Sequence, residues 1–285
     1  MKRLIWEEKF VLIILRLLIL LVILFLFSLL LVLCVKGGKV LSLSFLFDNP
    51  RRGMTEGGIF PAILGSFYLS FGSILIAFPL GLFSGIYLSE FAKRNWLTDL
   101  VISCVNALAG VPSVVFGLFG LSLFVNAFGF GISIISGVLT LSLLILPVIV
   151  KVTEESIKAV SFDLREAAYA LGASKWRTIG FVLLPVAMPN ILTGVILTLG
   201  RAAGETAPIM FTAVTFYTRR LPTSIFDEVM ALPYLIYGLM TEGTKPEKQV
   251  PIAFGSALVL LLLVLSISAI GIYLRYRWRG ERKTC

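Results

Sequence analysis

Apolar runs close to bilayer length alternate with short polar stretches along almost the whole chain. A helical membrane crossing takes about 20 predominantly apolar residues. Six runs meet that requirement, at residues 10–35, 62–88, 100–124, 132–150, 189–216 and 252–273. The pattern predicts an all-α polytopic membrane protein with six transmembrane helices. The first run is too long for a signal-peptide core, so it reads as a retained helix, with a cleaved signal peptide as the alternative. Arg16 within it can snorkel back to the interface. Residues 36–60 read as a polar loop, punctuated by Gly37-Gly38, Asn49-Pro50 and Gly57-Gly58. The third run carries Gly110, Pro112, Gly117 and Gly120. That composition predicts a kinked or closely packed helix, which at membrane depth must be buried in protein or line a cavity. Between the fifth and sixth runs, VMALPYLIYGLMT is apolar but short, and Pro233 interrupts it. It reads as an interfacial or re-entrant piece, with a short seventh span as the alternative. The resulting organisation is a first helix with its external loop at 1–60, a membrane domain at 61–275 with a polar loop at 151–185, and a tail at 276–285.

Composition agrees with the pattern. The chain is 58 % hydrophobic, with a mean hydropathy of +0.98, against about 45–50 % apolar residues in soluble domains. The net charge of +9 does not point to nucleic acid, because the basic residues flank the apolar runs. Fifteen Lys and Arg fall on the side of the N-terminus and eight on the other. Positive charge favours the cytoplasm, so both termini are expected there, in a multi-pass protein of the cell inner membrane. There is no histidine, and Cys34, Cys104 and Cys285 are scattered. That excludes His-ligated metal and a His base, and it argues against a Cys metal cluster. No cofactor is expected in the chain.

One polar stretch stands out between two greasy runs: EAAYALGASKWRTIGFVLLP, residues 166–185. Asp163 is placed to cap a helix start, with Glu166 three residues on reaching back. Leu164, Ala167, Ala168 and Leu171 share one small-residued face. Gly172 supplies a stop or sharp turn, Ser174 can cap a second helix, and Pro185 ends it. Two short helices meeting at a glycine make a hook. Periodicity and capping fit two readings equally: a docking hook, or an amphipathic helix on lipid with Lys175 and Arg177 toward headgroups.

Arg201 and Glu205 lie inside the fifth apolar run. A charge at the centre of a membrane helix costs roughly 2.5–3.5 kcal/mol on insertion scales. At four residues apart the two face the same side of a helix. They form either an architectural pair that locks two helices or a cation placed to meet an anion, with Glu205 moderating it. A desolvated guanidinium matches oxyanions such as phosphate bidentately.

Glu166-Ala167-Ala168, three residues, Gly172, nine residues and Val182-Leu183-Leu184-Pro185 resemble the EAA loop of bacterial ABC importer permeases, with Val in place of the family's Ile. The resemblance implies a type I permease-like bundle whose hook is a coupling helix. Glu166, Ala167, Ala168, Gly172, Leu184 and Pro185 would dock a separate ATPase, and this favours the hook over the lipid helix. The chain has no G-x-x-x-x-G-K-[ST] phosphate loop, so ATP and Mg would sit on the partner. RAAGETAPI, residues 201–209, is similar to the signature of the A-type permease subunits of phosphate importers. GIYLSEFA and ALAGVPSVVFGLFG look like the same pattern, and the likeness spans roughly residues 62–275. It implies a translocation path that includes Arg201, Glu205 and Thr206. The implied partners are a C-type permease subunit forming a heterodimer, an ATPase dimer, an external phosphate-binding protein and inorganic phosphate. Arg219 and Arg220 become candidate rim charges toward that receptor. The rival readings are a permease for sulfate, molybdate or tungstate, an ATP-independent transporter or anion channel, and a membrane-anchored enzyme, which the lack of a nucleophile–base cluster disfavours.

Overall fold

The structure, a computed structural model, describes residues 2–93, 95–218 and 220–280. Arg219 and Cys285, named above, lie outside the described residues, as do Arg94, Arg282 and Lys283, which belong to the basic residues counted on the N-terminal side. Among the described residues five helices are long and apolar enough to cross a membrane, and a bent helix pair makes a sixth crossing. The only strands there are a two-residue antiparallel pair, β1 (Pro50–Arg51) and β2 (Glu56–Gly57).

Helix α1 (Lys2–Gly38) fills the first run and extends past both expected ends. It ends against the start of the last helix, α12 (Pro246–Gly280): a Cβ on Gly37 would lie 2.6 Å from the Phe254 carbonyl oxygen. The expected loop at 36–60 holds a short helix, α2 (Leu43–Phe47), capped by Ser42, whose hydroxyl accepts from the Phe45 N–H. The β1–β2 hairpin follows.

Helix α3 (Phe60–Ile86) passes through Pro79 without interruption and closes in a π turn, Tyr87–Phe91. It packs most extensively on α6 (Ile134–Lys158). In lipid no hydrophobic gain drives two helices together, so close backbone approach and hydrogen bonds must do it. Gly72, Gly81 and Gly85 of α3 abut Val138, Ile149 and Thr153 of α6, each leaving less than 3 Å for an added Cβ. The Ser142 hydroxyl donates to the Ser73 carbonyl at 3.1 Å. The contacts advance together along both helices, so α3 and α6 run parallel. The chain must therefore return across the membrane between them.

That return is not one helix. The run at 100–124 splits into α4 (Trp96–Ala109) and α5 (Ser113–Gly120), with a π segment, Leu121–Ala127, continuing α5. The two parts meet at 102°. Gly110 and Pro112 are the cause: proline has no N–H for the ladder, and the residue before it avoids the helical region. The expected kink is a full corner. No residue of α4 is buried, whereas Phe116, Gly117 and Gly120 of α5 are.

The expected fifth span is corrected at both ends. Helix begins at α8 (Lys175–Arg177), passes a π turn at Thr178–Leu183 and runs on as α9 (Leu184–Gly204), a continuous apolar rod of 30 residues. Pro185 therefore does not end the second arm of the hook; it follows directly on the π turn, within a helix that continues. At the far end helix stops at Gly204, and a separate short helix, α10 (Ala207–Thr212), follows. The segment at 229–241 is α11 (Leu232–Thr241), too short to cross, with Leu232, Pro233, Leu235, Gly238 and Leu239 buried.

Candidate functional site

The hook forms as two arms at a glycine corner. The first arm is α7 (Phe162–Ala170). Its N-cap is Ser161, and Asp163 stands inside the first turn, where its charge faces the positive helix end. The expected Asp163–Glu166 capping box is absent: helix starts one residue before Asp163. Gly172 has φ +79°. Its N–H donates to the Tyr169 carbonyl at 2.9 Å, and the Ala173 N–H donates to the Ala168 carbonyl at 3.0 Å. These two bonds are a Schellman closure, and they satisfy carbonyls the helix end would otherwise orphan. Ser174 is the cap of the second arm.

Apolar side chains crowd the outside of this otherwise polar corner. Leu171 is 90 % exposed, and Phe162, Tyr169, Trp176 and Phe181 are also open. Of the face formed by Leu164, Ala167, Ala168 and Leu171, only Ala168 is buried. Glu166 is exposed beside them. The inner side rests on a buried cluster of Ile86, Ile157, Val160, Ile179, Leu183, Ala187 and Ile191, with Leu184 packed against it.

Both arms also reach the π turn that ends α3. Arg165 pairs with Glu90 at 3.0 Å, and the same Nη2 donates to the Ile157 carbonyl at 2.8 Å. Lys175 donates to the Glu90 carbonyl and stands 4.4 Å from the centre of the Phe91 ring. Trp176 packs on the other contact of that ring, with centroids 4.8 Å apart. Sequence reading gave Glu90 no role, although it lies within the GIYLSEFA stretch that resembles the family pattern and is a lone acid at the close of an apolar run.

The second feature is the break after α9. Arg201 lies in the last helical turn, and Glu205, extended at ψ 127°, is the residue that ends it. The Arg201 Nε donates to Glu205 Oε1 at 3.1 Å. The pair expected from spacing is present, but it spans a helix end and not a helix face. Glu205 is 15 % exposed and Arg201 49 %, so the carboxylate lies beneath and the cation is presented outward. The two Nη groups make no hydrogen bond among the described residues. Thr206 is half-buried in the break. Helix α5 braces it: at Gly117 the backbone comes so near that a Cβ would meet the Ala207 carbonyl oxygen at 2.9 Å and Pro208 Cα at 3.0 Å. A cavity of about 600 Å³ between α3, α4 and α6 is apolar-walled, and neither Arg201 nor Glu205 lines it.

On the face opposite the hook, main-chain bonds join the two ends of the segment 213–231. Thr215 N–H donates to the Val229 carbonyl, and Val229 N–H to that of Ala213. Asp227 accepts from the N–H groups of Thr223 and Ser224 and from the Thr223 hydroxyl. Those bonds hold its carboxyl below the usual aspartate value. Arg220 is exposed on this loop.

The pattern of the binding-protein-dependent transport system inner membrane component family matches residues 77–279, from within α3 to the end of α12. The chain belongs to this family. Among its relatives, the probable ABC transporter permease protein YqgI of Bacillus subtilis is 38 % identical over 86 % of this chain and 85 % of its own length. The phosphate transport system permease protein PstA 1 of Mycobacterium tuberculosis is 36 % identical, over 87 % of this chain and 82 % of that one. In fold, this inner-membrane component superposes on the inward-facing MetNI methionine ABC transporter with a TM-score of 0.61 at 18 % identity, over 78 % of this chain and 94 % of that one. The bacterial alginate ABC transporter gives 0.65 at 17 % identity, over 91 % of each chain. The expected fold class and family are therefore both found: an all-α importer-permease bundle with a glycine-cornered hook between α6 and α9.

Proposed function

We propose that this inner-membrane component is the A-type permease subunit of an ATP-driven importer of inorganic phosphate, lying with both termini in the cytoplasm. The observation that carries the reading is the Arg201 guanidinium at the broken end of α9, with both Nη groups unengaged among the described residues and Glu205 holding it from below. Such a fork matches two oxygens of a tetrahedral oxyanion. Glu205 repels the same anion, which keeps binding loose enough for release. Thr206 adds a hydroxyl at the same break. The relatives named as phosphate permeases support phosphate over other cargo.

In this reading a C-type subunit completes the path, an external phosphate-binding protein delivers cargo to the face bearing residues 213–231, and an ATPase dimer carrying ATP and Mg grips the hook. Glu166, Ala167, Ala168 and Gly172 shape the gripped corner, and Leu184 and Pro185 root it in α9. The open Leu171, Phe162 and Trp176 side chains are what a docking partner would cover. A second reading, transport of sulfate, molybdate or tungstate, follows from the same guanidinium geometry, which one arginine does not tune between tetrahedral anions.

The experiment is uptake of labelled phosphate in cells lacking and then regaining the chain, with unlabelled sulfate as competitor. Restored uptake, indifferent to sulfate, is expected. Arg201→Gln should lower phosphate transport about tenfold or more, the worth of a charge-assisted hydrogen bond, while assembly with the ATPase stays intact. Wild-type uptake in that variant removes Arg201 from the path, and sulfate-sensitive uptake favours the second reading.

A further inference from the structure

We infer that Glu90 is a positioning residue for energy coupling: it pins the hook to α3, so that a push on the hook enters the bundle through the α3–α6 pair as well as through α9. The inference rests on the reading of the hook as an ATPase handle. The hook has an obvious route into the membrane, because its second arm is continuous with α9. The first arm, α7, has no such continuity. It is joined to α6 only through residues 159–161 and turns away at Gly172. Besides its packing on the π turn Thr178–Leu183, it is tied to the other helices by Arg165, whose Nη2 bridges Glu90 Oε1 at 3.0 Å and the Ile157 carbonyl at 2.8 Å. One guanidinium nitrogen thereby ties α7 to the ends of both α3 and α6.

The second arm reaches the same acid from the other side. Lys175 donates to the Glu90 main-chain carbonyl, and its ammonium and the Trp176 ring both sit on Phe91. Glu90 is thus gripped by side chain and by backbone, from arms that diverge at Gly172. The Glu90 side chain is 8 % exposed and that of Arg165 21 %. A charge pair at that depth resists separation, since pulling one partner away leaves the other uncompensated. The π turn Tyr87–Phe91 gives the reason the acid is here: its wider winding carries Leu88 inward to the buried side while leaving Glu90 toward the hook. Behind it, Gly81 and Gly85 press on Ile149 and Thr153 without intervening side chains. A displacement at Glu90 therefore meets a pair of helices packed too closely to absorb it by side-chain motion.

The test uses the whole complex, purified through a tag on this chain and reconstituted in vesicles with the external binding protein. Three quantities are read: ATPase recovered with the tagged chain, ATP hydrolysed, and labelled phosphate moved per ATP. Glu90→Gln should leave ATPase recovery and hydrolysis within about twofold and reduce phosphate per ATP about tenfold, as expected for a broken buried pair. Arg165→Gln should do the same, and the charge exchange Glu90→Arg with Arg165→Glu should restore at least half of the ratio. A structural role alone would not return with the exchange. An unchanged ratio in both single variants, or an exchange as poor as either, overturns the pin. Loss of ATPase recovery in the single variants also overturns it, by making Glu90 a docking determinant. If the wild-type chain recovers no ATPase at all, the handle reading falls and the pin with it.

Discussion

A single backbone angle decides whether the hook exists. Gly172 holds φ +79° with no neighbour within 4 Å of where a Cβ would be, so the objection to any other residue there is conformational and not steric crowding. Gly172→Ala should cost about 1–2 kcal/mol locally and lower ATPase recovery with a tagged chain. Gly172→Pro also deletes the N–H that closes on Tyr169, and it should abolish both recovery and uptake while the protein remains in the membrane. Normal recovery in the proline variant would remove the corner from docking. Gly172 and Ser174 were legible because turn and cap chemistry are local. Asp163 was misread because any of several small or polar residues can begin a helix, and the helix starts one residue earlier, after Ser161. The Arg201–Glu205 spacing announced a pair, and Gly204 with Pro208 signalled a loosened helix there; the close approach of α5 to Ala207 and Pro208 is remote in sequence and was not legible.

At the scale of elements, proline was the ambiguous sign. Pro79, Pro147, Pro189 and Pro251 lie inside helices that continue, whereas Pro112 stands at a 102° corner. A membrane helix keeps a proline when neighbouring groups re-satisfy the freed carbonyl, and sequence alone does not display those neighbours. Apolar length, by contrast, was read correctly for α1, α3, α6 and α12 and for the short α11, because the bilayer sets it. Helix packing supplies its own prediction. A Cβ on Gly65 of α3 would stand 1.9 Å from the Met230 carbonyl oxygen, a main-chain atom held by the α11 approach and unable to swing aside. Gly65→Ala should destabilise the protein by about 1–3 kcal/mol, read as a lower Tm in detergent. An unchanged Tm would show that this face of α3 yields.

For the whole molecule, the parallel run of α3 and α6 makes the bent α4–α5 pair a full return crossing, and it sets the hook and residues 213–231 on opposite faces. The proposed orientation, with the hook in the cytoplasm, rests on the excess of Lys and Arg on the hook side. With the native cysteines changed to serine, Leu171→Cys should resist a membrane-impermeant maleimide in intact cells and react after lysis, whereas Thr55→Cys should react in both. The reverse result would turn the protein over. One helix stands apart from this framework. Within its apolar stretch α1 stays open to its surroundings, although it packs along α12 and approaches it closely at Gly37. Such a segment needs no companion to leave an aqueous channel for oil; it partitions on its own greasiness. Under the proposed orientation, Lys2, Arg3 and Lys9 at its head hold that end on the cytoplasmic side, and every later crossing is threaded from a stake already driven.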